Sequence, residues 1–512
     1  MNTYKIIMFV LYFAFVTGIG LFFFFKSKDK NGKDYFLGGR KMNGFVAALS
    51  AGASDMSAWV LMGLPGAICL FGLGQVWISV GLLIGTVLSW MFVAPRLRRF
   101  AIKSNDSITI PEYLSNRFNS NSPVLRISCA VIFLVGYCLY AASSIAACGT
   151  VIVAIIPTAN KTLVEIIAAA VIVAYTFLGG FNAVCWTDFF QGLLMLAALM
   201  VVPIISFILL KSSGAVGVAA EVNPNYYNFL SSGKFDWASI SDILTGLGWG
   251  LGYFGMPHIL IRFMSIKSEK DMRRSQITGS IWTALILLFA TFVGLIAHEY
   301  LGADVNKDNK SSVFIMIVDH IFSAGGLAII GGLLLSAIVA ASMSTADSQL
   351  LLSSSAFAAD IYKTSIKKNA TEKEVLWIGR IAVIVILVFA MLIALFVSSD
   401  IMSLVSAAWS IFGAAFGPVI LLSLYWKRFT YKGAVAGIIS GFLTSILWMI
   451  LFNLPYYGFG KVLANTNLYE IVPGFIVGLI VAIVTTLLTD KPDEKTLKIF
   501  DEASKMKYSD EE

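Results

Sequence analysis

An aspartate stands in an apolar stretch of the chain, LSAGASDMSAWVLMGLPG (residues 49–66), as Asp55. A charged side chain near the centre of a bilayer costs about 2.5–3.5 kcal/mol on insertion scales, and such a residue usually serves a site or a pathway for ions. Three glycines and a proline weaken the helix around it: Gly52, Gly63, Pro65 and Gly66. An unwound stretch exposes carbonyl oxygens that can coordinate a small cation and a half-helix N-terminus that can receive a carboxylate. The stretch therefore predicts an ion site at an interrupted helix.

Two further stretches carry complementary groups. TGLGWGLGYFGMPHILIRF (245–263) has five glycines and a proline, and it places Trp249 and Tyr253 one helical turn apart on the same face. SAIVAASMSTADSQLLLSSS (336–355) contains adjacent hydroxyls at Ser344 and Thr345. Hard cations such as sodium prefer oxygen ligands, so this pair is a candidate for completing a cation site. The alternative is that both hydroxyls bond back to carbonyl groups of their own helix.

The composition indicates that membrane helices position these groups. The 512 residues are 58% hydrophobic and 13% charged, about half the charged fraction of a soluble protein. With ~20 apolar residues per crossing, the sequence predicts an all-α polytopic membrane protein with thirteen spans. We place them near residues 4–25, 44–70, 73–94, 126–156, 163–180, 189–211, 240–260, 276–298, 324–345, 376–398, 401–425, 433–453 and 471–489.

Basic residues set the predicted orientation. With the N-terminus outside, 30 of the 37 Lys and Arg residues fall on inner segments, as the positive-inside rule requires. We therefore expect one transmembrane domain (1–489) with its N-terminus outside, and a cytoplasmic tail (490–512). The segment 311–322 is too short to cross and is expected to form a helix on the outer surface, or alternatively a re-entrant segment.

The two interrupted spans suggest an internal repeat. Spans two and seven are five apart, so they cross the membrane in opposite directions. Corresponding interrupted helices in two halves are typical of inverted-repeat transporters with a binding site at the midplane. We therefore predict that residues 44–211 and 240–425 form two inverted repeats of five helices each, and that spans one, twelve and thirteen lie outside this core.

The sequence lacks the motifs of nucleotide-driven pumps and of metal-dependent enzymes. The chain has no Walker loop and no HExxH, so an ATP-driven pump is not expected. Its five cysteines lack metal-ligand spacing. We expect no cofactor, no nucleic-acid partner and no enzymatic activity, and the lipid bilayer is the predicted surroundings.

Five segments in order resemble the sodium/solute symporter family. They are YFLGGRKM (35–42), LSAGASDMSAWVLMGLPG (49–66), YTFLGGFNAVCWTDFFQG (175–192), GWGLGYFGMPHILIRFM (248–264) and AASMST (340–345). The third is similar to the family signature at the inner loop between spans five and six. The resemblance covers nearly the whole chain. It implies a LeuT-type fold and sodium-coupled uptake of L-proline by alternating access across the plasma membrane, here a bacterial inner membrane.

The resemblance also implies residue roles. Sodium would be held by backbone oxygens of Ala53, Met56 and Ala341 and by the hydroxyls of Ser344 and Thr345, with Asp55 in support. Six positions match substrate-binding positions of the family: Ser57, Trp59, Tyr140, Trp249, Tyr253 and Pro257. Asp188 and Asp347 are candidates for an ion pathway. Asp347 is not expected from the family pattern, and the alternative is a solvated acid at a helix end.

Other functions stay open at this point. Met256 stands where proline carriers of the family usually have glutamine. A symporter for another amino acid, a sugar acid or pantothenate is therefore the first alternative. A membrane-embedded enzyme and a channel are more distant alternatives.

Overall fold

The computed structural model describes residues 3–26, 37–213, 224–306, 309–322, 327–396, 401–454 and 466–506. Apart from one isolated β-bridge, the regular structure of these residues is helical. Within them, nine helices are long and apolar enough to cross a membrane, or ten if one bent pair counts as a single span. The chain is therefore an all-helical polytopic membrane protein, as predicted. The count of thirteen spans stays a prediction.

The first half of the chain contains eight α-helices, two of them extended by a short π-helical turn. They are α1 (Thr3–Lys26), α2 (Gly44–Asp55), α3 (Leu64–Phe71, preceded by the π-turn Trp59–Gly63), α4 (Val76–Leu88, followed by the π-turn Ser89–Val93), α5 (Ala94–Lys103), α6 (Ile110–Arg117), α7 (Val124–Ile155) and α8 (Lys161–Ser213).

The second half contains ten α-helices. They are α9 (Trp237–Gly248), α10 (Pro257–Ser265), α11 (Glu269–Leu301), α12 (Val313–Ile321), α13 (Leu327–Ser355, continued by the π-helix Ala356–Ile366), α14 (Glu372–Phe396), α15 (Ile401–Tyr425), α16 (Tyr431–Trp448), α17 (Ile471–Leu488) and α18 (Glu494–Lys505). Helix α12 confirms a short helix in the segment 311–322.

The predicted break in the second span is present. Helix α2 begins with an Asn43 cap, whose side chain accepts a hydrogen bond from the Val46 N–H group, and it ends at Asp55. Met56 has a non-helical backbone (φ −77°, ψ 71°). Helix axes on the two sides of the break differ by 60°. The carbonyl groups at the end of α2 are therefore released inside the protein.

The predicted break in the seventh span is also present. Helix α9 passes into a 3₁₀ turn at Trp249–Phe254, and α10 begins at Pro257, whose missing N–H group is tolerated in the first helical turn. Glycines let this segment contact α4 backbone to backbone. A Cβ atom added at Gly85 would lie 2.2 Å from the Gly250 carbonyl oxygen. Side chains at this crossing would force α4 away from the broken seventh span.

The predicted boundary between spans five and six needs a correction. We expected an inner loop between residues 180 and 189, but the helix resumes at once and a continuous span runs from Gly180 to Ser212. Gly180 alone makes the break, with φ 61° and ψ −167°, a conformation that side-chain-bearing residues rarely adopt. The polar residues of this segment, Asp188 among them, therefore lie on a helix.

Two helices form the centre of the bundle. Helix α15 is buried over 94% of its most apolar stretch and α13 over 78%. Helix α13 packs against α2, α7 and α8, and α15 packs against α7 and the 3₁₀ turn. This arrangement brings the ends of both broken helices next to the hydroxyl-rich segment of α13.

Candidate functional site

Three hydrogen bonds converge on the main-chain carbonyl oxygen of Asp55. It accepts hydrogen bonds from the Ser57 N–H group at 2.9 Å, the Tyr140 hydroxyl at 2.9 Å and the Trp59 indole at 3.1 Å. The hydroxyl of Tyr253 donates to the carboxylate of Asp55, with 2.5 Å to Oδ2. Four of the six predicted substrate-binding residues thus meet at the break, and Asp55 itself is buried. Because its carbonyl oxygen is already bonded, this oxygen is poorly placed to serve as a cation ligand.

Aromatic rings pack against one another beside this break. The rings of Trp59 and Trp249 stack with centroids 6.0 Å apart, and Trp249 also stacks on Tyr469 at 5.0 Å. Trp409 meets Tyr253 edge to face at 5.3 Å, and its indole donates to the Trp249 carbonyl at 2.8 Å. These rings form an apolar wall with polar edges, which suits a small apolar ring that carries charged groups.

Sequence reasoning missed Trp409 and Tyr469. Trp409 lies in α15, whose sequence has no charged residue to indicate a site. Tyr469 precedes α17 and lies outside the predicted repeat. Pro257, the sixth predicted substrate residue, is buried at the first position of α10. It sets where the second half-helix begins.

The predicted sodium ligands on α2 and α13 are also brought together. Ser344 Oγ lies 2.8 Å from the Ala53 carbonyl oxygen and 3.1 Å from the Ala341 carbonyl oxygen. The second contact is the bond within its own helix that we considered as an alternative, but the first joins two helices. Thr345 Oγ1 is buried and has no hydrogen-bond partner among the described residues. Met56, at the first non-helical position, is also fully buried. Such a cluster of neutral oxygens is a suitable donor set for a hard monovalent cation.

Asp188 belongs to a buried polar network. Its Oδ2 accepts from Arg262 Nη2 at 2.8 Å and from the Ser50 hydroxyl at 2.6 Å. The same guanidinium donates to Ser50 at 2.7 Å and to Ser348 at 2.6 Å, and the Ser348 hydroxyl lies 3.2 Å from Asp347 Oδ1. The network therefore joins α2, α8, α10 and α13.

Two conclusions follow for the predicted ion pathway. Asp347 is fully buried, so the alternative of a solvated acid at a helix end is wrong. Arg262, which the charge count placed among the basic residues of an inner segment, is buried as the ion-pair partner of Asp188. An arginine within the apolar run after Pro257 was the signal that could have identified it, since buried charges are normally paired.

Comparisons with known proteins agree on the class. The sequence profile described as "Sodium:solute symporter family" matches residues 35–441. The high-affinity proline transporter PutP of Bacillus subtilis (strain 168) is 41% identical over 485 residues, which cover 94% of this chain and 98% of that protein. A sodium/proline symporter of Haemophilus influenzae is 41% identical over 515 residues, with 98% of both chains covered.

A solved structure shows the fold. The chain matches a Na⁺-coupled sialic acid symporter, solved in a substrate-bound outward-open state, with a TM-score of 0.78 and 20% identity, covering 96% of this chain and 98% of that one. The two proteins therefore share their fold. From the profile match and the full-length relatives, the chain belongs to the sodium:solute symporter family, and it is a transporter rather than an enzyme.

Proposed function

We propose that this protein carries L-proline into the cell together with sodium by alternating access. The full-length relatives named as proline transporters support this substrate. The observation that carries the proposal is the contact of Ser344 in α13 with the Ala53 carbonyl oxygen near the end of α2. A cation bound there would tie α2 to α13, so its arrival or release would change how the two helices pack.

The proposed sodium ligands are the carbonyl oxygens of Ala53, Met56 and Ala341 and the hydroxyls of Ser344 and Thr345. The buried Thr345 hydroxyl, which lacks a hydrogen-bond partner among the described residues, supports this assignment. Asp55 adds a negative charge close by without a direct contact to this cluster.

The proposed substrate site lies on the other side of the break. Trp59, Tyr140, Trp249 and Tyr253 would enclose the pyrrolidine ring of proline, with Ser57 and the half-helix starting at Pro257 orienting its charged groups. The stacking of Trp59 on Trp249 supports this, because the two rings join the two broken helices. Asp188 and Asp347 would lie along the path of sodium toward the cytoplasm.

The proposed topology has two inverted repeats, 44–211 and 240–425, thirteen spans, an outer N-terminus and a cytoplasmic C-terminus, in the plasma membrane of a bacterium. Broken helices at equivalent positions of the two repeats support it. Met42 and Ile266 pair in a parallel bridge, with the Lys267 N–H group donating to the Met42 carbonyl at 2.9 Å. This bridge joins the entrance of α2 to the exit of α10 on the proposed inner side.

Proteoliposomes test this proposal. The purified chain should accumulate labelled L-proline when sodium is high outside, and not when choline replaces sodium. Unlabelled L-proline should compete, whereas pantothenate, sugar acids and other amino acids should not. Competition by one of these solutes but not by proline would transfer the proposal to the first alternative. Passage of sodium that does not depend on any solute would indicate a channel.

A further inference from the structure

Three aromatic rings form a column that leads away from the proposed substrate site. Trp59 stacks on Trp249 with ring centroids 6.0 Å apart, and Trp249 stacks on Tyr469 at 5.0 Å with the ring planes 28° apart. Burial changes sharply at this end of the column, because Tyr469 is buried, Leu468 is half-buried and Asn467 is exposed. In the proposed topology α17 starts on the outer side, so Tyr469 lies where the buried interior meets the outer surface.

Polar contacts hold Tyr469 against the column. Its hydroxyl donates to the Ser406 carbonyl oxygen of α15 at 2.7 Å, and its N–H group donates to Thr245 Oγ1 of α9 at 3.1 Å. The Thr245 hydroxyl in turn donates to the Asn467 carbonyl oxygen at 3.1 Å. Tyr469 is thus tied to a central helix and to the first half of the broken seventh span. Each such bond contributes only modestly to stability, so these contacts can break and form again during transport.

Peripheral helices anchor the segment that carries Tyr469. The Leu468 carbonyl oxygen accepts from Trp448 Nε1 of α16 and from Asn453 Nδ2 of the π-turn that follows α16, each at 3.1 Å. Glu470 is buried, and its Oε2 accepts from the same Asn453 amide at 2.7 Å. Helix α17 begins at the next residue. Tyr469 therefore joins the peripheral helices α16 and α17 to the seventh span, and relative movement of these elements would separate it from the ring column.

We propose that Tyr469 is the outer wall of the substrate site and retains bound solute beside Trp249 until the outer side opens. The inference rests on the proposed substrate site and deepens it, since it adds a residue from outside the two predicted repeats. An aromatic ring at this place offers apolar contact to an apolar solute ring. Departure of the Tyr469 ring from Trp249 is then the step that admits or releases solute on the outer side. Loss of the ring should act on the rate at which solute leaves.

Release of bound solute tests this inference. The purified full-length chain is loaded with labelled L-proline in saturating sodium and diluted into unlabelled L-proline at the same sodium concentration. Tyr469→Ala removes the ring and the hydroxyl, so release should be about tenfold faster than in the wild type. Tyr469→Phe keeps the ring and loses only the bond to Ser406, so release should be about threefold faster. This graded order is expected of a wall that both the ring and the hydroxyl keep closed.

Tyr226→Ala is the matched control for loss of a packed tyrosine. Tyr226 also lies on the proposed outer side, its ring stacks on His298 at 3.9 Å, and its hydroxyl donates to the Ile68 carbonyl oxygen at 3.0 Å. These partners lie outside the proposed substrate site, so release should match the wild type. If Tyr469→Ala does not yield folded protein, Thr245→Val takes its place. It removes the hydroxyl that accepts from the Tyr469 N–H group, and release should be about threefold faster.

Hydroxyl-radical footprinting separates this inference from the identity of the solute. Oxidation of Trp249 in the sodium-loaded chain without solute, followed by mass spectrometry, should increase in Tyr469→Ala and stay at the wild-type level in Tyr226→Ala. A wild-type chain that does not bind L-proline would overturn the proposed substrate, while the oxidation of Trp249 would still decide on the wall. Release at the wild-type rate in both Tyr469 variants, or unchanged oxidation of Trp249 in Tyr469→Ala, would overturn the inference.

Discussion

At the scale of single residues, Asp55 connects most of the candidate site. Its carbonyl oxygen accepts hydrogen bonds from Ser57, Trp59 and Tyr140. Its carboxylate accepts one from Tyr253. The type and the position of this residue indicated an ion site from the sequence, since a carboxylate among glycines in an apolar span has few structural uses. Its contacts were not predictable, because Tyr253 is 198 residues away along the chain.

Substitution of Asp55 tests the need for its charge. Asp55→Asn keeps the size of the side chain and should reduce sodium-driven uptake about a hundredfold, since a ligand or support of a metal site is lost. Asp55→Glu should retain weak uptake. The readout is the initial rate in proteoliposomes with equal amounts of inserted protein. Asp501→Asn, at the partly exposed pair with Lys427, is the control and should behave as wild type. Normal uptake by Asp55→Asn would contradict this role.

Ser344 offers a test on the opposite side of the break. Ser344→Ala removes the hydroxyl beside the Ala53 carbonyl oxygen and should raise the sodium concentration for half-maximal uptake about tenfold. The apparent proline constant at saturating sodium should change little. Ser336→Ala is a matched control, because that hydroxyl only bonds to Gly332 of the same helix. Equal effects of the two substitutions would assign Ser344 to helix packing.

At the scale of elements, the interrupted helices were predictable and their neighbours were not. The glycines and prolines of two spans predicted the breaks at Met56 and at Gly255, because glycine and proline weaken helices locally. The inner loop expected at 181–188 was wrong, since one glycine with a positive φ was sufficient to redirect the chain. The pairing of Asp188 with Arg262 joins α8 to α10, and no local pattern encodes such a partner.

The crossing of α4 with the second broken span gives a prediction at this scale. Gly85→Ala places a methyl group 2.2 Å from the Gly250 carbonyl oxygen, so the helices must separate. We expect a loss of about 1–3 kcal/mol, typical of overpacking, visible as a lower thermal unfolding midpoint in detergent, together with reduced uptake. Gly18→Ala in α1, where an added Cβ meets no atom within 4 Å, is the matched control. An unchanged midpoint for Gly85→Ala would show that the crossing adapts freely.

At the scale of the whole molecule, helix α18 (Glu494–Lys505) is part of the packed structure. The sequence analysis predicted only a cytoplasmic tail at 490–512. In the structure α18 packs on α5, with Phe500 edge to face on Phe100 at 5.3 Å and beneath the guanidinium of Arg117 at 4.9 Å. The sequence analysis did not identify the short amphipathic helix in this charged segment, whose buried face includes Phe500 and Ala503.

Phe500 is therefore expected to anchor α18. Phe500→Ala removes the ring that fills the contact with α5 and α6, and large-to-small changes at buried aromatic positions cost about 3–5 kcal/mol when fully buried. The helix should detach, and trypsin should cleave after Lys495 and Lys498 faster than in the wild type. Glu502→Gln, on the exposed face of α18, should leave the cleavage rate unchanged. Equal rates for Phe500→Ala and the wild type would mean that other contacts hold the helix.

The central claim is that sodium and proline move through this molecule together. Coupling of two solutes is reciprocal, because each must shift the same conformational equilibrium. The most direct measurement is therefore ²²Na⁺ uptake into proteoliposomes with equal sodium on both sides and an inward gradient of L-proline alone. The account predicts a transient accumulation of ²²Na⁺ that vanishes without proline and in Asp55→Asn. Sodium entry that is indifferent to the proline gradient, in vesicles that do take up proline, would contradict it.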